Sequence, residues 1–368
     1  MDDFSSELDE IFSRASGSMT TLKINASSGV TETRIPAMAF HALVSLTVRG
    51  HPVVLDTPSL TRFTFDGYLE QGWTALFLIF LSRCPKLQEL TVTHGEVSEE
   101  NVIDEVKLDD LRTYTDITNS SRSSCHDLRL YRRLSFPEKA VRSLVFRQEL
   151  PNPNSGYSTV PIWAKPQWLS IKTTRSQDDL GKDYAEGVME IKEATTGSRF
   201  SSVMRSYLLT TVNSSYARGC VSFGAGGCKA LYVEGITNHS ETVLSSLWGL
   251  ETLVLSCNTA TSFLHALISD FERGLRCSRL KSIVIRDQYG GGKKILELLV
   301  EIAQERRSLR YPGLQSVHFL SSTPWEQMMV RRLRSLVGRE VHVAKEGDAL
   351  KGWNVDEKTL EILTRRVD

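Results

Sequence analysis

With 368 residues, 40% of them apolar, and 44 basic against 44 acidic side chains, the chain can bury a large core yet carries no net charge. Such a balance produces no global field to draw in a polyanion, which argues against a nucleic-acid binder. The longest apolar stretch, Ala75 to Leu81, falls far short of the roughly 20 residues that cross a bilayer, so no membrane span is expected.

In chain order, Met1 to Phe12 carries Asp2, Asp3, Glu7, Asp9 and Glu10 and lacks a basic end leading into an apolar run. It reads as an acidic N-terminal segment (1–18) and not as a secretory signal or presequence, which places the protein in the cytoplasm or nucleus. From residue 19 a phrase, apolar-x-x-apolar-x-apolar, recurs wherever a strand could begin. Strong copies are Leu43/Leu46/Val48, Leu60/Phe63/Phe65, Leu87/Leu90/Val92, Val141/Leu144/Phe146, Leu250/Leu253/Leu255, Leu280/Ile283/Ile285 and Leu314/Val317/Phe319. Weaker ones are Met19/Leu22/Ile24, Pro166/Leu169/Ile171 and Cys228/Leu231/Val233. A phrase of this kind at this spacing marks a leucine-rich-repeat-like solenoid.

Between copies the apolar period changes from 2 to 3.6, as strand followed by helix requires. Helices are expected at Gly72 to Ser82, ended by Pro85, and along the stripes Phe263/Leu264/Leu267/Ile268/Phe271/Leu275, Ile295/Leu296/Leu298/Leu299/Ile302 and Trp325/Met328/Met329/Leu333/Leu336/Val337. The fold class is therefore α/β, a solenoid with a curved parallel sheet on the concave side and helices and loops outside. The stretch Thr113 to Ser135 and the polar, Gly-rich stretch Glu149 to Phe200 break the rhythm and read as surface excursions. The organisation is N-terminal repeats at 19–148, an insertion or irregular repeats at 149–205, C-terminal repeats at 206–343, and a C-terminal cap at 344–368. An amphipathic helix at Asp356 to Val367 would shield the end of the core.

Chemistry-bearing motifs are scarce. The loop Asp287-Gln-Tyr-Gly290-Gly291-Gly292-Lys293-Lys294 lies between a strand and a helix, where backbone amides can hold phosphate, and supports an alternative reading as a nucleotide- or phosphate-binding switch or enzyme. A phosphate loop needs glycine where Asp287 stands and a hydroxyl where Lys294 stands, so the glycines are better explained by a repeat turn. Gly224-Ala-Gly226-Gly227 precedes a strand and reads the same way. No nucleophile elbow occurs, the eight histidines form no helical metal pair, and the six cysteines share no C-x-x-C spacing and read as reduced thiols. Neither catalytic residues nor a cofactor nor a metal is expected. The arginines at 331, 332, 334 and 339, and the run Glu305-Arg-Arg307 with Arg310, read as solvated helix ends.

Strand alternation carries the functional inference. If Leu46 and Val48 point into the core, their neighbours point out of the concave face, and the same logic applied along the chain gives a mixed polar ribbon. Arg49, Asp66, Arg147, Glu234, Arg286 and His318 are its candidate partner-binding residues. An extended mixed ribbon suits a protein ligand. Charge reversal at Arg147 or Arg286 is expected to change binding and not stability, whereas Leu253→Asp or Ile283→Asp should unfold the repeats.

The phrases Pro85-Lys-Leu-Gln-Glu-Leu-Thr-Val92, Trp248-Gly-Leu-Glu-Thr-Leu-Val-Leu255, Ser278-Arg-Leu-Lys-Ser-Ile-Val-Ile285 and Pro312-Gly-Leu-Gln-Ser-Val-His-Phe319 resemble the irregular leucine-rich repeats of fungal, mushroom-type F-box-like proteins. The resemblance implies a non-catalytic recognition scaffold that recruits a protein target, with ubiquitin-ligase components as further partners. An F-box is not recognisable in Met1 to Gly17.

Overall fold

In the computed structural model, the described residues are 17–26, 40–69 without 54, 73–97, 105–120, 129–148, 166–177, 182–206, 225–235, 239–256, 259–273, 277–287, 290–348, 350 and 353–364. They form a mixed α/β fold in which fourteen strands carry long, mostly parallel ladders. The chain divides into two compact units, Met1–Glu149 with Thr196–Ser201, and Leu150–Thr195 with Ser202–Asp368.

In the first unit the strands are β1 (Thr21–Ala26), β2 (Ser45–Gly50), β3 (Arg62–Leu69), β4 (Glu89–Val97), β5 (Val106–Lys107), β6 (Thr113–Ser120), β7 (Leu134–Ser135) and β8 (Val141–Gln148). Its helices are α1 (Trp73–Ser82) and the single turn α2 (Arg129–Arg132). The main ladder runs β1-β2-β3-β4-β6-β8, all parallel, while β5 and β7 pair separately. The repeated phrase sets the register: Leu22, Leu46, Phe63, Leu90 and Tyr114 stand side by side, one apolar side chain per strand. Helix α1 closes over this row. Phe77 and Phe80 are fully buried against Phe63, with ring centroids 5.9 and 4.9 Å away, and each contributes about 2 kcal/mol of apolar burial.

Strand β6 corrects the expectation of an excursion at Thr113 to Ser135. Leu111, Tyr114 and Asp116 form a hidden copy of the phrase whose third apolar position is an acid, so apolar periodicity passes over it. Asp116 is tolerated because the core satisfies it. It accepts hydrogen bonds from the Tyr114 hydroxyl at 2.6 Å and the Thr118 hydroxyl at 3.4 Å, and it faces His94 Nε2 at 2.9 Å. The copy at Val141 is offset: Leu144, not Val141's expected partner row, stands level with Asp116 and Val92, and Val141 itself is exposed.

In the second unit the strands are β9 (Pro166–Gln177), β10 (Asp183–Glu193), β12 (Ala230–Glu234), β13 (Thr252–Ser256), β14 (Ser282–Asp287), β15 (Ser316–Ser321) and β16 (Glu340–Lys345); strand β11 (Arg199–Ser206) is divided between the units. The helices are α3 (Ser240–Ser245), α4 (Thr259–Arg273), α5 (Gly292–Ser308), α6 (Gln327–Leu336) and α7 (Glu357–Thr364). Strands β9 and β10 make a long antiparallel hairpin inside the stretch read as an insertion, and the weak phrase Pro166/Leu169/Ile171 lies on β9 in parallel register with β12. From β12 onward all pairs are parallel, and Leu231, Leu253, Ile283, Val317 and Val341 form one row.

Helices α3, α4, α5 and α6 occupy the successive crossovers, with α5 burying Ile295, Leu296, Leu299 and Ile302. Arg306 departs from the solvated-run expectation. It is fully buried and its guanidinium donates to the carbonyls of Pro312, Cys277, Ser278 and Leu280 at 3.0 to 3.1 Å, stapling the end of α5 to the turn before β14. Arg331, Arg332, Arg334 and Arg339 are exposed, as expected. Among the cysteines, Cys84, Cys228 and Cys277 are buried; Cys125, Cys220 and Cys257 lie outside the described residues. No helix among the described residues is long and apolar enough to cross a membrane.

Candidate functional site

The strand positions that alternate with the core rows were expected to form one solvated ribbon, and the two units treat them differently. In the first unit Arg49, Arg62, Thr64, Asp66, Glu89, Asn119 and Arg147 are exposed, and Thr47, Thr91, Thr93, Thr115 and Ser143 are half-buried. In-register pairing sets Thr47, Thr64, Thr91, Thr115 and Ser143 in one row across five strands. Charged residues flank that row, including Arg49 and Asp66, whose side chains are 69% and 53% exposed and approach to 3.9 Å. An ion pair so exposed contributes little to stability, which leaves both groups available to a ligand.

In the second unit the same face is covered by the chain itself. Tyr232, Val254, Val284 and Leu320 pack under Ile362 and Leu363 of α7, with Leu350, Trp353 and Val355 beside them. The C-terminal helix therefore lies on the strand face, not over the end of the core as expected. Polar contacts fix its position. The Tyr232 hydroxyl donates to Asp356 at 2.9 Å, and Asp356 also caps α7 by accepting from the Thr359 amide and hydroxyl at 3.0 and 2.6 Å. Lys358 sits 3.4 Å from the centre of the Trp168 ring and 3.3 Å from Glu190.

This cover changes the standing of three candidate residues. Arg286 is only 5% exposed and donates to the Ile362 carbonyl and to Glu346, both at 2.8 Å, so it is a clamp on the C-terminal segment and not a free ligand contact. His318 is 1% exposed. Glu234 is half-buried and pairs with Lys172 at 3.5 Å. Charge reversal at Arg286 thus becomes a stability change, contrary to the sequence reading.

His318 has further company. Parallel pairing of β15 and β16 sets it directly opposite His342, and their rings stack at 5.1 Å and 13°. Glu340 lies two residues before His342 on the same strand and hence on the same face, its carboxylate 3.7 Å from His342 Nε2. The Trp353 ring roofs both imidazoles, at 5.1 and 6.1 Å. Neither ring nitrogen of His318 has a hydrogen-bond partner, and burial beside His342 pushes its imidazole down to about 4, so it is neutral at physiological pH. Potential ligand atoms of His318, Glu340 and His342 all lie within 4.8 Å of one another. Strand alternation singles out His318 as a surface contact and does not reveal the group. Its only local trace is the alternation Glu340-Val-His342, since the third member comes from the neighbouring strand.

Asp287, 3% exposed, accepts from the Gly291 amide and the Ser321 hydroxyl, both at 3.2 Å, so a carboxylate already stands at the start of α5 where a phosphate would sit. Lys293 pairs with Glu326 at 3.0 Å, and Gly290 at φ 87° holds a backbone that favours glycine. In the first unit the Gly95 carbonyl can only accept, so His94 Nδ1, 2.6 Å away, carries a hydrogen, and one proton lies between His94 Nε2 and Asp116. That pair is 1% and 2% exposed, which suits a structural network and not a base awaiting substrate. None of the family models and none of the curated proteins compared with this chain matches it.

Proposed function

We propose that the chain is a leucine-rich-repeat-like solenoid that recognises a protein partner, without catalysis, on the open strand face of its first unit. The observation that carries this reading is the row Thr47, Thr64, Thr91, Thr115, Ser143 with exposed Arg49, Arg62, Asp66, Glu89 and Arg147 around it. Parallel strands about 4.8 Å apart hold these side chains at fixed spacing, so a partner meets a preorganised surface and little ordering entropy is lost on binding. Mixed charge favours a partner of complementary polar character over a polyanion.

Recruitment of a target for ubiquitin transfer is the finer form of this proposal, and it rests on the repeat resemblance. The alternative, a nucleotide switch at Gly290–Lys294, has weaker support because Asp287 would repel a phosphate from the helix start. The test is affinity purification of the tagged chain from its native cells beside the double variant Arg49→Glu/Arg147→Glu. A partner held by the parent and lost by a variant of unchanged melting temperature supports the proposal, and ubiquitin-ligase subunits among the captured proteins support its finer form. Capture of the same set by both proteins overturns the assignment of the face.

A further inference from the structure

We propose that His318, Glu340 and His342 form a zinc site that ties together the two strands at the edge of the second unit's sheet, β15 and β16. The inference is independent of the recognition reading, because it concerns the covered face and not the open one.

Three observations converge. First, His318 is buried with both ring nitrogens unpartnered, although an imidazole buried in a protein ordinarily finds a partner for its N–H and for its lone pair. Second, strand register delivers a second imidazole to the same spot without any loop having to be placed, since His318 and His342 are direct cross-strand neighbours. Third, Glu340 completes a set of two imidazoles and one carboxylate. At 3.7 Å from His342 Nε2 it is too far to close a hydrogen bond, so its oxygen remains available.

Donor chemistry selects the metal. Two nitrogens and a carboxylate oxygen suit zinc, whose sites of this composition leave a fourth position for water, and they are poor donors for the hard ions calcium and magnesium, which require mostly oxygen. Zinc–nitrogen bonds of about 2.1 Å let two ligands stand at most about 4.2 Å apart. The group spans up to 4.8 Å and the two imidazoles are stacked at 13°, so loading requires the rings to turn until their in-plane lone pairs converge on one ion. His342 and Glu340 are 32% and 44% exposed at their side chains and give the ion a route in, while Trp353 closes the other side. A metal here would fix β15 to β16 directly beneath Trp353, whose neighbours lead into α7.

The test uses the full chain with its thiols reduced. Zinc is titrated against a chromophoric chelator, and cobalt is added as a spectroscopic stand-in. The expected result is one equivalent of tight binding, visible-region cobalt bands of nitrogen and oxygen ligands without thiolate charge transfer, and a melting temperature that rises with zinc. His342→Ala should lower the affinity at least about 100-fold and abolish the thermal shift, more than the 10- to 100-fold typical of losing an outer partner. Glu340→Gln, at an exposed position that does not endanger folding, should weaken binding about tenfold or more, and His318→Phe should remove it while keeping the stack on Trp353. Absence of stoichiometric binding to the parent, equal binding to the parent and Glu340→Gln, or a thiolate band in the cobalt spectrum overturns the site.

Discussion

The two units build the same parallel ladder and finish it in opposite ways. In the first, the face away from the core row presents threonines and charges to solvent; in the second, the corresponding face holds Tyr232, Val254, Val284 and Leu320 and is roofed by Leu350, Trp353, Val355, Ile362 and Leu363. The difference lies in the alternate positions of the strands. Thr64, Thr91 and Thr115 can stay wet, whereas Tyr232, Val254 and Val284 cannot, and an all-apolar strand is stable only if both faces are covered. One ladder thus keeps that face open to solvent, and the other has it covered from within the same chain.

The sharpest way to break this comparison is to place a charge on each face. Val284→Asp should destabilise the protein by more than about 4 kcal/mol, as much as Ile283→Asp on the opposite side of the same strand, because both leave an unpaired buried carboxylate. Thr64→Asp in the first unit should stay within about 1 kcal/mol. Circular-dichroism melts of the three variants decide it, and equal tolerance at Val284 and Thr64 would mean that the second face is open after all. Next in size is the arginine pair. Arg286→Glu should cost about 2 kcal/mol or more, since it removes two charge-assisted hydrogen bonds and sets two acids together, while Arg147→Glu should remain within about 0.5 kcal/mol.

Smaller effects sharpen the picture. Tyr232→Phe keeps the ring over the core and deletes only the bond to Asp356, an expected loss of about 1 kcal/mol that urea unfolding can resolve. The thiols report on each unit without perturbing either. Burial pushes Cys84 in the first unit up to about 11 and Cys228 in the second up to about 12, so neither forms appreciable thiolate near pH 8 while folded. An alkylating probe followed by peptide mass analysis should label each only as fast as its own unit opens. Reaction of either at the rate of a free thiol would show that its unit is loosely packed.

Much of the fold was written in the phrase itself. Leu46, Phe63, Leu90, Leu253, Ile283 and Val317 stand in the predicted core rows, and the helices at Trp73, Thr259, Gly292 and Gln327 follow from 3.6-residue periodicity. Strand β6 was hidden because Asp116 is satisfied by partners that sequence spacing does not reveal. The covered face was partly visible: Leu253-Val-Leu255 and Ile283-Val-Ile285 are unbroken apolar runs, the pattern of a strand buried on both sides, yet the alternation argument assigned Val254 and Val284 to solvent. Arg286 and His318 inherited that error. Of the candidate binding residues, Arg49, Asp66 and Arg147 stand exposed on the first unit's face. The grouping of His318 with His342 could not be read in advance, since it depends on which residues two parallel strands align.

The hydrogen bond from Tyr232 to Asp356 and the ion pair from Glu190 to Lys358 join residues 124 and 168 positions apart. Repeat arrays ordinarily assemble from neighbours and can begin folding anywhere along their length. Here an apolar flank of strands β12–β15 stays uncovered until residues 353–364 have been synthesised and have returned to it. Contacts of such high sequence separation slow folding and prolong the exposure of apolar surface while the chain is incomplete.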